Sequence, residues 1–263
     1  MALRRTTRSR MYRVTMYVIF VALVVWVAFA TDWATVGKQF LNPEVAAAMF
    51  PGIITIALKN TILFTLISFA GGLLLGIVFA LLKLSSIGPF RWFATAWIEL
   101  FRGLPALLTI FAFAFMLPIA LKVQVPGGAV GAGLLGLIFV ASAYMAEVIR
   151  AGIQAVPKGQ TEAARSLGMS PLKTTFWIIL PQGFRIIIPP LTNEFVLLLK
   201  DTSLLFIAGS TILTKELTSF SRDALSSTAN ATPLVMAAML YLLVTIPLTR
   251  VVAWLERRMA RQR

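Results

Sequence analysis

The sequence contains no cysteine and no histidine. The first absence excludes disulfide staples, thiolate nucleophiles and cysteine-ligated metal centres. The second removes imidazole, so haem ligation by histidine, Cys/His zinc sites and Ser-His-Asp chemistry are all unavailable. Charge is also scarce: 13% of the 263 residues are charged, against roughly a quarter in an ordinary soluble domain. Acidic groups are the scarcest, 10 against 24 lysines and arginines. No G-x-x-x-x-G-K-[ST] segment is present, so the chain has no P-loop of its own for a nucleotide.

What is abundant is apolar: 59% of the residues are hydrophobic and the mean hydropathy is +0.86. A soluble core of this size has no room for so much apolar surface, whereas a bilayer does. Six apolar segments recur, at roughly 14–30, 53–82, 92–120, 132–153, 186–209 and 233–253. A hydrocarbon layer of about 30 Å takes about 20 helical residues to cross. The expected fold is therefore all-α, a polytopic transmembrane helical bundle of about six spans. The second segment is longer than one span needs and is interrupted by Lys59 and Asn60. That length implies tilt or an interfacial start, with Lys59 reaching toward the headgroups.

The net charge of +14 is spread through short stretches between the apolar runs, which is a topology signal rather than a nucleic-acid footprint. Arg4, Arg5, Arg8, Arg10 and Arg13 precede the first segment, and no small-residue cleavage site follows it, so that segment reads as a retained anchor. With the N-terminus inside, Lys83, Arg91, Arg150, Lys158, Arg165, Lys173, Arg185 and the basic C-terminal residues also fall inside. Only Lys38, Lys122, Lys215 and Arg222 lie in the outer loops. Both termini are expected on the cytoplasmic side.

The longest inner interruption, about 150–185, has helical punctuation. Pro157 suits a first turn, Glu162 lies toward the positive end of the following helix, Ala163 and Ala164 are strong helix formers, and Gly168 suits a left-handed stop. Ser170 and Pro171 then read as cap and first residue of a second segment, 172–180, closed by Pro181. The economical division is a tail, anchor helix and outer loop at 1–50 and one transmembrane domain at 51–263.

The register Glu162-Ala163-Ala164, three residues, Gly168, nine residues, Ile178-Ile179-Leu180-Pro181 resembles the EAA loop of ABC importer permeases. Glu99-Leu100-Phe101-Arg102-Gly103-Leu104-Pro105 is similar to the E-x-x-R-G-x-P of the polar amino acid branch, which takes histidine, glutamine and glutamate. So is the run from Asn193 and Glu194 to Lys200-Asp201-Thr202-Ser203-Leu204. Together these span roughly 50–255. The departures are the added N-terminal segment, where family members commonly have five spans, and Leu104 in place of threonine.

The resemblance implies a permease subunit that is not itself an enzyme, in a bacterial cytoplasmic membrane, importing polar amino acids such as glutamate or glutamine by alternating access. It implies that Glu162, Ala163, Ala164, Gly168 and Pro181 form a coupling helix docking a cytoplasmic ABC ATPase dimer. ATP and magnesium would belong to that partner, with no cofactor on this chain. A second permease, the same or similar, and an extracytoplasmic solute-binding protein would complete the complex. The alternative is an ion- or proton-coupled secondary amino acid transporter, which carries its own coupling acids at the midplane and no inner docking helix.

Charges within spans cost about 2.5 to 3.5 kcal/mol each on insertion scales and are seldom kept idly. Glu99 and Arg102, three apart, can pair on one helix face. Alternatively, Arg102 meets a substrate carboxylate where Gly103 and Pro105 loosen the helix. Asn193 and Glu194 suit structural or gating roles, and Asp201, Thr202 and Ser203 are candidates to line the substrate path. Gly72 and Gly76 form a G-x-x-x-G, a pattern common in glycine-rich membrane helices. The sequon Asn230-Ala231-Thr232 reads as chance.

Overall fold

The structure, a computed structural model, describes residues 5–260, and these are helical with no strand among them. The first helix, α1 (Arg5–Ala30), leads to two short helices, α2 (Trp33–Phe40) and α3 (Pro43–Ala48). Each short helix begins where a side chain satisfies its free N–H groups: Asp32 accepts from Ala34 and Thr35, and Asn42 accepts from Glu44 and Val45. The bundle follows as α4 (Ile53–Leu84), α5 (Gly88–Gly103), α6 (Ala106–Leu121) and α7 (Gly128–Gln154). Two short helices, α8 (Lys158–Ser166) and α9 (Pro171–Thr174), precede α10 (Leu180–Asp201). The helix α11 (Leu217–Thr228) and the long α12 (Thr232–Ala260) follow.

Four described helices, α1, α4, α7 and α12, are long and apolar enough to cross a membrane, and α5 with α6 makes a fifth if the bent pair is one span. The remaining apolar segment of the sequence is α10, whose Arg185, Glu194, Lys200 and Asp201 make it less apolar. Helix α7 is the hub. In its most apolar stretch 67% is buried inside the bundle, against 0% for α1, so α7 is wrapped by protein and α1 stands apart from the bundle core. Phe64, Ile110, Leu134, Leu137, Met145, Leu198 and Leu205 fill the core around it.

The structure corrects the expected third span. It is not a straight helix over 92–120 but two helices meeting at 105°. Pro105 has no N–H to donate and its ring disfavours helical geometry in the residue before it. Leu104 is accordingly extended (φ −87, ψ 139), and α5 ends at Gly103.

Pro181 does not close its helix either. A π-helical turn, Thr175–Ile179, lies between α9 and α10, and Pro181 sits in the first turn of α10. The wider turn takes up the missing donor, so the chain stays helical from α9 into α10.

The G-x-x-x-G carries more weight than its frequency suggested. A Cβ on Gly72 would lie 2.7 Å from Ala141 Cβ, and one on Gly76 would lie 2.9 Å from Met145 Cβ. These glycines let α4 press against α7. The sequon has a role as well, holding the segment after α1 to the start of α12. Asn230 Nδ2 donates to the Lys38 carbonyl at 2.8 Å, Ala231 N–H donates to the Gln39 carbonyl at 2.8 Å, and Thr232 Oγ1 accepts from Asn42 N–H at 2.9 Å.

Candidate functional site

The 155–170 loop is built as a short projecting helix with defined ends. Pro157, extended at ψ 132, is the N-cap of α8 rather than part of its first turn. At the other end the Gly168 N–H donates to the Arg165 carbonyl at 3.0 Å and the Met169 N–H to the Ala164 carbonyl at 3.1 Å. This paired closure requires a left-handed residue, and Gly168 has φ +80. Ser170 caps α9 through the Lys173 N–H, as the sequence suggested.

Helix α8 has two faces. Ala164 is buried, 5% exposed, while Glu162, Ala163, Arg165 and Gly168 are exposed. The helix packs toward the Thr175–Ile179 turn, and Gln182 Nε2 of α10 donates to Gln160 Oε1 at 3.4 Å. Beyond Gly168 the exposed surface turns apolar: Leu167, Leu172, Phe176 and Trp177 are each more than half exposed, the last three with Lys173 lining an open groove of about 420 Å³. Pro181 is exposed at the foot of α10. The loop therefore offers small residues and a carboxylate outward beside an apolar margin, a surface suited to a protein partner.

The candidate path residues fall into two groups. Arg102 occupies the last turn of α5, at the break, and its guanidinium lies over the Tyr144 ring of α7 at 5.4 Å from the centroid. The break thus sets Arg102 of α5 over Tyr144 of α7, while Glu194 and Asp201 lie partly buried on α10. Glu99 on α5 and Asn193 on α10 are exposed, as is Arg102. Glu99 and Arg102 form no ion pair among the described residues, because Arg102 turns to Tyr144 instead. Thr202 lies in the interior with its hydroxyl donating to the Leu199 carbonyl at 2.7 Å, and Ser203 is partly buried beside it.

Residues 72–261 match the family described as binding-protein-dependent transport system inner membrane component. The chain belongs to this family. The permease is 39% identical over 203 residues to the probable glutamine ABC transporter permease protein GlnM of Bacillus subtilis, covering 76% of this chain and 90% of the relative. It is 31% identical over 217 residues to the glutamate/aspartate import permease protein GltK of Escherichia coli O157:H7, covering 79% and 92%. Among solved structures it is similar to one described as the crystal structure of an amino acid ABC transporter with histidines. That likeness has a TM-score of 0.73 and 34% identity, over 81% of this chain and 96% of the other.

Some functional groups of the permease were not apparent from its sequence. Tyr144 sits in an apolar run whose periodicity marks it as core, and only its position opposite the α5 break shows the pairing with Arg102. Arg150 counted only as one of the basic residues that suggest topology, and Glu147 carried no reading. In the structure Glu147 accepts from both Arg150 and Lys83.

Proposed function

We propose that this permease is the membrane-spanning subunit of an ATP-driven importer of polar amino acids, with α8 as its contact to a cytoplasmic ABC ATPase dimer. The observation that carries the reading is the closed projecting helix α8, with Glu162 and Ala163 turned outward and Gly168 fixing its end. The amino acid class is drawn from the relatives. Both termini lie on the cytoplasmic side in this reading, because basic residues cluster at the loops that would share it. A second permease completes the pore, and an extracytoplasmic binding protein delivers substrate. ATP and magnesium are held by the partner, and this chain uses no cofactor.

The path runs past the α5 break. A helix interrupted at mid-membrane leaves backbone groups free to meet a polar solute, and such breaks favour ion and zwitterion sites. Arg102 supplies a donor for a carboxylate, and Glu194 and Asp201 supply acceptors for an ammonium. Asn193, Thr202 and Ser203 border the path, and Glu99 sits at its inner approach.

Docking is tested by co-purification of permease and ATPase. Glu162→Arg and Gly168→Asp should lose the ATPase while the permease itself still purifies as a folded membrane protein. Retention of the ATPase by both variants would remove α8 from the interface.

A further inference from the structure

The inner end of the bundle holds one carboxylate shared by two cations. Lys83 Nζ donates to Glu147 Oε2 at 3.1 Å, and Arg150 Nε donates to Glu147 Oε1 and Oε2 at 3.1 Å each. Arg150 also donates to Gln154, the last residue of α7. The three charged side chains are 23%, 24% and 25% exposed, sheltered enough for the attraction to exceed that of an open surface pair. Among the described residues, Lys83–Glu147 is the ion pair that joins two spanning helices, Lys83 lying in the last turn of α4.

The placement of the pair gives it leverage. The chain leaves Gln154, passes the buried Val156 and Pro157, and enters α8. Arg150 braces this final turn of α7 to Glu147, and Glu147 is tied to α4. Farther into the bilayer the contact between α4 and α7 is of another kind, Gly72 against Ala141 and Gly76 against Met145. Glycine presents no side chain to interlock, so one helix can roll on the other there. Lys83 lies seven residues beyond Gly76, about 10 Å along the helix. A displacement of α8 therefore reaches α4 through an ion pair at the end of a lever whose fulcrum is the glycine contact.

We infer that Glu147 is a positioning residue for energy coupling: through Lys83 it makes the inner end of α4 follow the docking loop. The inference rests on the reading of α8 as the ATPase contact. A pair that merely assembled the bundle would affect yield. A coupling pair affects the amount of substrate moved per ATP hydrolysed.

The experiment uses the whole complex of permeases, ATPases and binding protein in proteoliposomes, with Lys83→Met and Lys83→Arg. Lys83→Met cuts only the link between the helices, since Glu147 keeps Arg150 and no carboxylate is left unpaired. The expected result is a complex that assembles and hydrolyses ATP, while substrate moved per ATP falls about tenfold, within the usual range of coupling between sites. Lys83→Arg should restore the ratio. As a second pair of variants, Glu147→Lys should lose coupling and the exchanged Lys83→Glu/Glu147→Lys should regain part of it. The inference is overturned if Lys83→Met moves as much substrate per ATP as the unaltered complex, or if its only defect is a lower yield of assembled complex. An unaltered permease that captured no ATPase would overturn the docking reading itself, and this inference with it.

Discussion

The guanidinium of Arg102 and the ring of Tyr144 face each other at 5.4 Å, across the point where α5 gives way to α6. A cation over an aromatic face is held by about 0.5 to 2 kcal/mol, more where water is excluded. It remains free to leave the ring when a carboxylate arrives, because it forms no ion pair among the described residues. Arg102→Ala should therefore cost most of the uptake in a reconstituted complex. Tyr144→Leu should lower uptake several-fold and Tyr144→Phe should leave it nearly unchanged. Equal uptake by Tyr144→Leu and the unaltered chain would detach the ring from the path.

The glycine contact predicts a steep size dependence. At Gly76 a Cβ would already meet Met145 Cβ at 2.9 Å, so Gly76→Leu must push α4 off α7. Overpacking of this kind costs about 1 to 3 kcal/mol. The thermal midpoint of the detergent-solubilised protein should fall, and fall much less for Gly88→Leu, where an added Cβ meets nothing within 4 Å.

Much of this fold was legible from the chain because the bilayer imposes a length and a polarity on every span. The hydrophobic runs marked the spanning segments, the basic residues suggested their direction, and Gly168 and Ser170 announced their caps. What escaped were features set by tertiary neighbours. Pro181 suggested a stop, but a π-helical turn one residue upstream of α10 absorbed it. The apolar run 92–120 suggested one span, yet Pro105 bent it by 105°. Asn230-Ala231-Thr232 looked like an accidental sequon until residues 38–42 were seen bonded to it, almost two hundred residues away in sequence.

That clasp can be opened. Asn230→Ala removes the donor to the Lys38 carbonyl and the acceptor for the Thr232 N–H. The segment 31–42 should then become more accessible to protease added from the outer side, with the remainder of the bundle intact. Unchanged cleavage would mean that α2 and α3 are held by other contacts, such as Met49 in the cluster with Ile53, Leu217 and Leu240.

Glu216 gives the outer rim a dependence on pH. The residue is 1% exposed and caps α11, its carboxyl accepting from the Thr218 and Ser219 N–H groups and from the Tyr241 hydroxyl. Burial nevertheless raises its pKa above the ordinary 4.5. The folded chain therefore keeps this proton at pH values where the unfolded chain has released it. The contribution to stability is full below 4.5 and is lost as pH rises through the folded value. The thermal midpoint should carry a downward slope above that pH, and Glu216→Gln, which has no charge to acquire, should flatten it. An identical slope in the variant would assign the pH dependence to other groups.

The most direct test of the proposed function uses amino acid uptake into proteoliposomes containing the permease, supplied in turn with an ion gradient alone and with ATPase, binding protein and ATP. Uptake should occur only in the second case, stop with Glu162→Arg, and survive collapse of the ion gradient by ionophores. Uptake by the permease alone, driven by the gradient and abolished by ionophores, would contradict it.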